Sequence, residues 1–123
     1  MTALVLQARI DSSRLPRKSL LPLGGRPLVL RVMEALNYLP ADVKILACPE
    51  DSVTSFASLA EEAGFSLITG PKGDVLARFC LVIRNFDADM IIRATADNPF
   101  VFIDAATALS REAANLGADY SCY

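Results

Sequence analysis

Residues 3–36 read ALVLQARIDSSRLPRKSLLPLGGRPLVLRVMEAL. The stretch opens on Ala3, Leu4, Val5 and Leu6, a short apolar run bounded by polar residues, which reads as a buried strand. A turn-prone, cationic segment follows. Pro27 then suits the first turn of a helix, and Val29, Val32, Met33 and Leu36 form its apolar stripe. Strand, loop and helix make one step of an α/β fold, and the remainder of the chain repeats that step. Pro40 ends the helical segment and residues 44–48 read as a second strand. Asp51 or Ser52 caps the next helix, which turns Phe56, Leu59, Ala60 and Ala63 inward and stops at Gly64. Residues 66–69 read as a third strand, with Gly70, Pro71 and Gly73 as a loop. Asp74 caps a third helix with Phe79, Val82, Ile83 and Phe86 inward. Residues 90–94 are a fourth strand. Asp104 caps a last helix carrying Ala105, Leu109, Ala113 and Leu116, with Gly117 as its stop, and residues 118–123 read as a fifth strand. This alternation specifies a mostly parallel sheet with helical crossovers. No repeat or linker divides residues 1–123. An apolar strand at the end of the chain, with nothing to cover it, reads as the front portion of a larger domain and invites pairing into a homodimer.

Composition narrows the function classes. The hydrophobic fraction is 53% over 123 residues, enough for a buried core and against disorder. The net charge of -2 gives no general support for a nucleic-acid or membrane-surface role, so any basic site must be local. Histidine is absent, which excludes a Ser-His-Asp triad, a Cys-His pair and a His-ligated metal. The three cysteines, Cys48, Cys80 and Cys122, form no CxxC unit and fit a reducing cytoplasm better than a disulfide framework. The opening residues lack the pattern of a signal peptide, and no apolar run reaches membrane-spanning length.

Chemistry concentrates in the loops that follow the strands, where open α/β sheets bind ligands. The first strand is not followed by GxGxxG, and the chain has no GxxxxGK[ST]. A phospho-receiver domain has nearly this element order, but the places of its acidic residues hold Gln7-Ala8-Arg9 and Thr69-Gly70. The first loop instead carries Arg9, Arg14 and Lys18, with hydroxyls at Ser12 and Ser13, a stiffening Pro16, and tight backbone paths at Gly24 and Gly25. A fork of donors and a point charge suit a polyphosphate; a solvated basic loop is the alternative. At the end of the fourth strand stands Arg93-Ala94-Thr95-Ala96-Asp97-Asn98-Pro99. Asp97 offers a hard oxygen ligand for Mg2+, which usually takes one or two carboxylates plus substrate phosphates; an Asx-turn before Pro99 is the alternative. After the third strand, Asp74 reads as a cap. Arg78 either faces the same rim or pairs with Asp74 as an i,i+4 couple. Parallel topology puts all three loops at one end of the sheet, so cations and a carboxylate converge on one crevice, as a metal–nucleotide complex requires.

At these residues the sequence resembles a known family. Gln7-Ala8-Arg9, Ser13-Arg14-Leu15-Pro16, Lys18, Leu20, Leu23, Gly25 and Pro27-Leu28 resemble the signature of sugar-activating cytidylyltransferases, among them the acylneuraminate and 3-deoxy-manno-octulosonate enzymes. The spore-coat polysaccharide biosynthesis branch is the nearest: it also carries G-x-x-x-D-V-L-x-R-F/Y, matched from Gly70 to Phe79, and R-x-T-x-D-x-P, matched from Arg93 to Pro99. The resemblance covers essentially the whole chain. It implies a nucleotide-diphospho-sugar transferase fold, Rossmann-like, a three-layer α/β/α sandwich. The implied reaction is CTP plus a sugar giving a CMP-sugar and pyrophosphate. Carried over, Ala8 and Arg9 border the cytosine and phosphates, Arg14 and Lys18 hold the triphosphate, and Asp97 ligates Mg2+ as the cofactor. Ser13, Arg78 and Thr95 lie near the nucleotide. Arg14, Lys18 and Asp97 then carry the catalysis. Departures stand at Arg17, where the family usually has Gly, and at Asp11 and Ala96, where Gly is frequent. Family domains also run to about twice this length. The portion beyond would hold the sugar site, a second metal-binding Asp and the dimerisation arm. The rival readings are a nucleotidyltransferase using UTP or GTP and a degenerate nucleotide-binding module without catalysis.

Overall fold

The computed structural model describes residues 1–123. Its element order is β1 Thr2–Gln7, β2 Pro22–Leu23, β3 Arg26–Pro27, α1 Leu28–Leu36, β4 Val43–Pro49, α2 Val53–Ala63, β5 Ser66–Gly70, α3 Val75–Phe86, β6 Met90–Thr95 and α4 Ile103–Leu116. Short 3-10 turns occupy Lys18–Leu20 and Glu50–Ser52. The main sheet runs β5-β4-β1-β6 with every pair parallel.

Side-chain alternation along the strands divides the core. Leu4, Leu6, Leu46 and Cys48 face one side and pack with Val29, Val32, Met33 and Leu36 of α1, Phe56 and Ala60 of α2, and Ala106 of α4. Ala3, Val5, Ile45 and Ala47 face the other side and meet Val82 of α3, with Phe79 and Phe86 beside it. The handedness of parallel connections explains the division. From β1 through β4 to β5 the sheet grows in one direction, with α1 and α2 on one face. The step from β5 to β6 passes back over two strands, so a right-handed crossover carries α3 across the opposite face. The three-layer α/β/α arrangement follows.

Several expectations are corrected. Residues 118–123 form no strand and are exposed. Gly117 takes a left-handed conformation, φ 61°, and the segment after it pairs with no strand, so its backbone groups have no ladder to join. The case for a dimer through that strand falls with it. The face of α4 is also rotated from the expected one: Ala106 is buried, while Ala105 and Leu116 are exposed. Its cap is Phe102, with Asp104 in the first turn, where a carboxylate favours the helix dipole without capping. Ile83 is exposed rather than inward. Ser52 precedes α2 but makes no side-chain cap. Asp74 does cap α3, accepting from the Ala77 N–H at 2.9 Å.

Pro27 lies one residue before α1, because it also closes a two-stranded hairpin that the sequence reading does not resolve. Pro22 pairs with Pro27 and Leu23 with Arg26. Gly24 and Gly25 turn between them at φ 60° and 80°, the geometry of a primed two-residue turn. Arg31 of α1 ties the hairpin down through the carbonyls of Leu23 and Gly24 at 3.0 and 2.6 Å.

Arg17 is the costly backbone position of the first loop. Its φ of 55° and ψ of 31° are left-handed, a conformation that disfavours a residue with a Cβ by about 1–2 kcal/mol. Replacement Arg17→Gly removes that strain and adds back part of it as unfolded-state entropy. A stability gain of about 1 kcal/mol is expected, read as a higher urea midpoint at unchanged slope. A lower midpoint would show that the arginine side chain itself holds the loop.

Candidate functional site

The order of strands reverses between β1 and β6, and in open α/β sheets ligands bind outside the carboxyl ends of the strands at such a reversal. Gln7 pairs in register with Ala47 on one side and Thr95 on the other. Ala8 is buried just past β1, its N–H donating to the Ala47 carbonyl at 3.1 Å. The loop from Arg9 to Arg17 therefore starts at the reversal, beside the turn that leaves β6.

The two turns meet. Lys18 Nζ lies 3.3 Å from Asp97 Oδ2, both side chains half-exposed. They are 79 residues apart in sequence, so only the parallel pairing of β1 with β6 joins them. The Thr95 hydroxyl, and after it the Lys18 ammonium, hold the Asp97 carboxyl below the usual carboxylate range. A depressed folded value keeps Asp97 ionised at neutral pH and down through the ordinary carboxylate range. The anion is lost only as pH falls through that lowered value.

The Asx-turn expected as an alternative for Asp97 is made by its neighbour. Asn98 Oδ1 accepts from the Phe100 N–H at 3.1 Å. Asp97 does not make that turn, and its carboxylate faces Lys18 and the Thr95 hydroxyl. Arg9, Ser13, Arg14 and Thr95 are exposed at the same end of the sheet. The side chains of Arg9, Arg14 and Arg17 engage no protein partner, unlike Lys18. Arg9, Ile10, Asp11, Ser12, Ser13, Pro16 and Arg17 line an open cavity of about 460 Å³, large enough for a small ligand.

Arg78 sits differently from the others. It is 1% exposed. Its guanidinium donates to the carbonyls of Pro71 and of Lys72, the latter at 3.3 Å, and does not pair with Asp74. Its Nε is buried without a partner. Gly70 is needed for this close approach, since a Cβ there would lie 2.8 Å from Arg78 Cγ. Arg78 also lies near Cys48, whose thiol burial pushes up to about 11. Cys48 is thus neutral at physiological pH and unsuited to nucleophilic work.

One group escaped the sequence reading. Lys72 Nζ bridges Asp11 Oδ2 at 3.0 Å and Asp51 Oδ2 at 2.7 Å. These residues come from the loops after β5, β1 and β4. No local spacing links them; the signal was their shared position beyond parallel strands.

Asp97, where the two turns meet, suits Mg2+ only if phosphate oxygens complete the shell. The residues present fit that arrangement: one ionised, half-exposed carboxylate with the Lys18 ammonium beside it.

A family model described as cytidylyltransferase matches residues 3–122. The chain is 33% identical over 123 residues to the spore coat polysaccharide biosynthesis protein SpsF of Bacillus subtilis, covering 95% of this chain and 51% of that protein. Among solved structures, a cytidylyltransferase from Leptospira borgpetersenii superposes with a TM-score of 0.84 at 23% identity, over 90% of this chain and 48% of that one. A CMP:2-keto-3-deoxy-manno-octonic acid synthetase complexed with CTP superposes with a TM-score of 0.81 at 23% identity, over 95% and 48%. At such identities the superpositions establish the nucleotidyltransferase fold. The chain spans about half the length of the curated relatives it matches. No helix is long and apolar enough to cross a membrane.

Proposed function

The chain belongs to the cytidylyltransferase family, and we propose that residues 1–123 are the nucleotide-binding portion of an enzyme that transfers CMP from CTP to a sugar. The products are a CMP-sugar and pyrophosphate, made in the cytoplasm for a surface polysaccharide. The observation that carries the reading is the meeting of Lys18 and Asp97 across the reversal of strand order. A cation for phosphate and a carboxylate for metal stand at one point.

In the reaction a sugar oxygen bonds to the α-phosphorus, the bond from that phosphorus to the bridging oxygen breaks, and pyrophosphate leaves with the electron pair. The hydroxyl proton passes to solvent. Positioning and charge neutralisation supply most of the rate in such transfers, so the absence of histidine is no obstacle. Ala8 and Arg9 border the base and phosphates. Arg14 and Lys18 hold the triphosphate, with Ser13 and Thr95 beside it. Asp97 would hold Mg2+, which supplies charge neutralisation at the phosphates when bound. Lys18, half-exposed beside Asp97, offers its ammonium to the phosphates. Arg78 acts from beneath, through the backbone it fixes.

Thermal shifts with CTP, UTP, GTP and ATP, each with Mg2+, test the reading. A ligand at 100 times its Kd stabilises by about 2.7 kcal/mol. CTP is expected to give the largest shift. Equal shifts would remove the choice of cytosine, and no shift would leave a module without catalysis. Arg14→Ala probes the loop. Arg14 is exposed and pairs with no other group, so its loss should leave the ligand-free Tm unchanged and weaken CTP binding about tenfold, the worth of one charge-assisted contact. Unchanged affinity would mean that the loop is only a solvated basic turn.

A further inference from the structure

The loop proposed to hold the triphosphate contains its own anion. Asp11 stands between Arg9 and Arg14, on the wall of the 460 Å³ cavity. A carboxylate free to swing there would repel the phosphates that the neighbouring cations attract.

The structure pairs and fixes it there. Asp11 reaches Lys72 at 3.0 Å, and Lys72 reaches Asp51 at 2.7 Å. Asp51 Oδ1 accepts from Ser52 Oγ at 3.0 Å. Ser52 Oγ accepts in turn from the Ile10 N–H at 3.0 Å. Because Ile10 and Asp11 are adjacent, the contacts close a ring through the loops that follow β1, β4 and β5. Ser52 is fully buried, which gives the ring a fixed floor. Arg78 fixes the other side by holding the carbonyls of Pro71 and Lys72. The Lys72 side chain holds the Asp51 carboxyl below the usual carboxylate range, and Asp51 followed by Asp11 raises the Lys72 ammonium above its ordinary value.

From this ring we infer that Lys72 is a positioning residue for the triphosphate: it pairs the Asp11 carboxylate on the cavity wall with an ammonium, holds it toward Asp51, and docks the start of the cationic loop. The inference rests on the reading of that loop as the CTP site. It gives the Lys72 charge a task performed without touching the nucleotide, and so separates it from Arg14 and Lys18.

A double-mutant cycle measures this separation. Calorimetric titration with CTP and Mg2+ compares the wild type, Lys72→Met, Asp11→Asn and the double variant. Lys72→Met should bind about tenfold more weakly, because it frees a negative charge beside the phosphates. Asp11→Asn should bind at least as tightly as the wild type, since it removes that charge from the cavity wall, and in the double variant affinity should return to within about threefold of the wild type. A double variant as weak as Lys72→Met would overturn the inference, since it would place Lys72 on the phosphates. So would a Lys72→Met variant of full affinity. Hydrogen exchange at the Ile10 amide, measured without nucleotide, should accelerate in Lys72→Met, and unchanged protection would overturn the docking role. Failure of the wild type to bind CTP would sink the reading of the site. The exchange result would still decide whether Lys72 anchors the loop.

Discussion

Replacing Asp97 with asparagine is expected to abolish the Mg2+ dependence of CTP binding while leaving the fold intact. The isosteric amide keeps the turn, because Asn98 rather than Asp97 makes its Asx hydrogen bond. The pair lost with Lys18 is half-exposed at 3.3 Å, and such pairs contribute up to about 1 kcal/mol. The ligand-free Tm should therefore move little. Binding is another matter. In the wild type, Mg2+ should strengthen CTP binding about 100-fold, because Asp97 would hold it and it would supply neutralisation of the phosphate charge. In Asp97→Asn, titrations with Mg2+ and with EDTA should coincide. Their value should match or exceed the EDTA value of the wild type, since Lys18 is then free without any metal. A variant that keeps the full Mg2+ response would remove Asp97 from the metal site. The lowered carboxyl range of Asp97 adds a pH signature. With its carboxyl lowered, Asp97 should stay ionised at mildly acidic pH, so a Mg2+ response that fades there would be set by protonation of the nucleotide's phosphates.

How much of this was visible in the sequence depends on the distance over which each feature is decided. Strand and helix identities are local. Leu4 and Leu6 against Val29, Val32 and Met33, or Phe56 with Ala60, announce their elements through spacing alone, and parallel topology then places the ligand loops at one end. The pairing of Lys18 with Asp97 followed from that placement. Features decided by tertiary partners were not legible. Asp11, Lys72 and Asp51 join through three loops. Ser52 looks like a helix cap by residue type, yet its hydroxyl is taken by the Ile10 N–H. Arg78 has the i,i+4 spacing to pair with Asp74, but burial turns it to the carbonyls of Pro71 and Lys72. Residues 118–123 have strand-like composition and no strand to pair with, so composition misled. The hairpin at Gly24 and Gly25 rests on strands of two residues each, too short for any periodicity to show.

The largest stability loss is expected from Phe56→Ala. Phe56 is fully buried in the cluster of 16 residues between one face of the sheet and α1, α2 and α4. Deleting a buried phenyl ring costs about 3–5 kcal/mol through lost transfer energy and the cavity left behind. On the opposite face Val82 belongs to a cluster of five. There Val82→Ala removes two methyl groups and should cost about 2 kcal/mol. Domains of this kind are stable by about 5–15 kcal/mol in all, so Phe56→Ala takes a large share. Urea unfolding should show a strongly lowered midpoint with unchanged slope. Equal losses at the two positions would mean that the α3 face carries as much of the stability as the α1 and α2 face. The two effects on function should separate. Phe56 lies on α2, whose preceding turn holds Ile10 through Ser52, but none of the polar groups proposed for the nucleotide lies on that helix. At a temperature where Phe56→Ala remains folded, its CTP affinity should equal that of the wild type. Weakened binding by the folded variant would show that the layer beneath the sheet sets the geometry of the cationic loop as well as the stability of the chain.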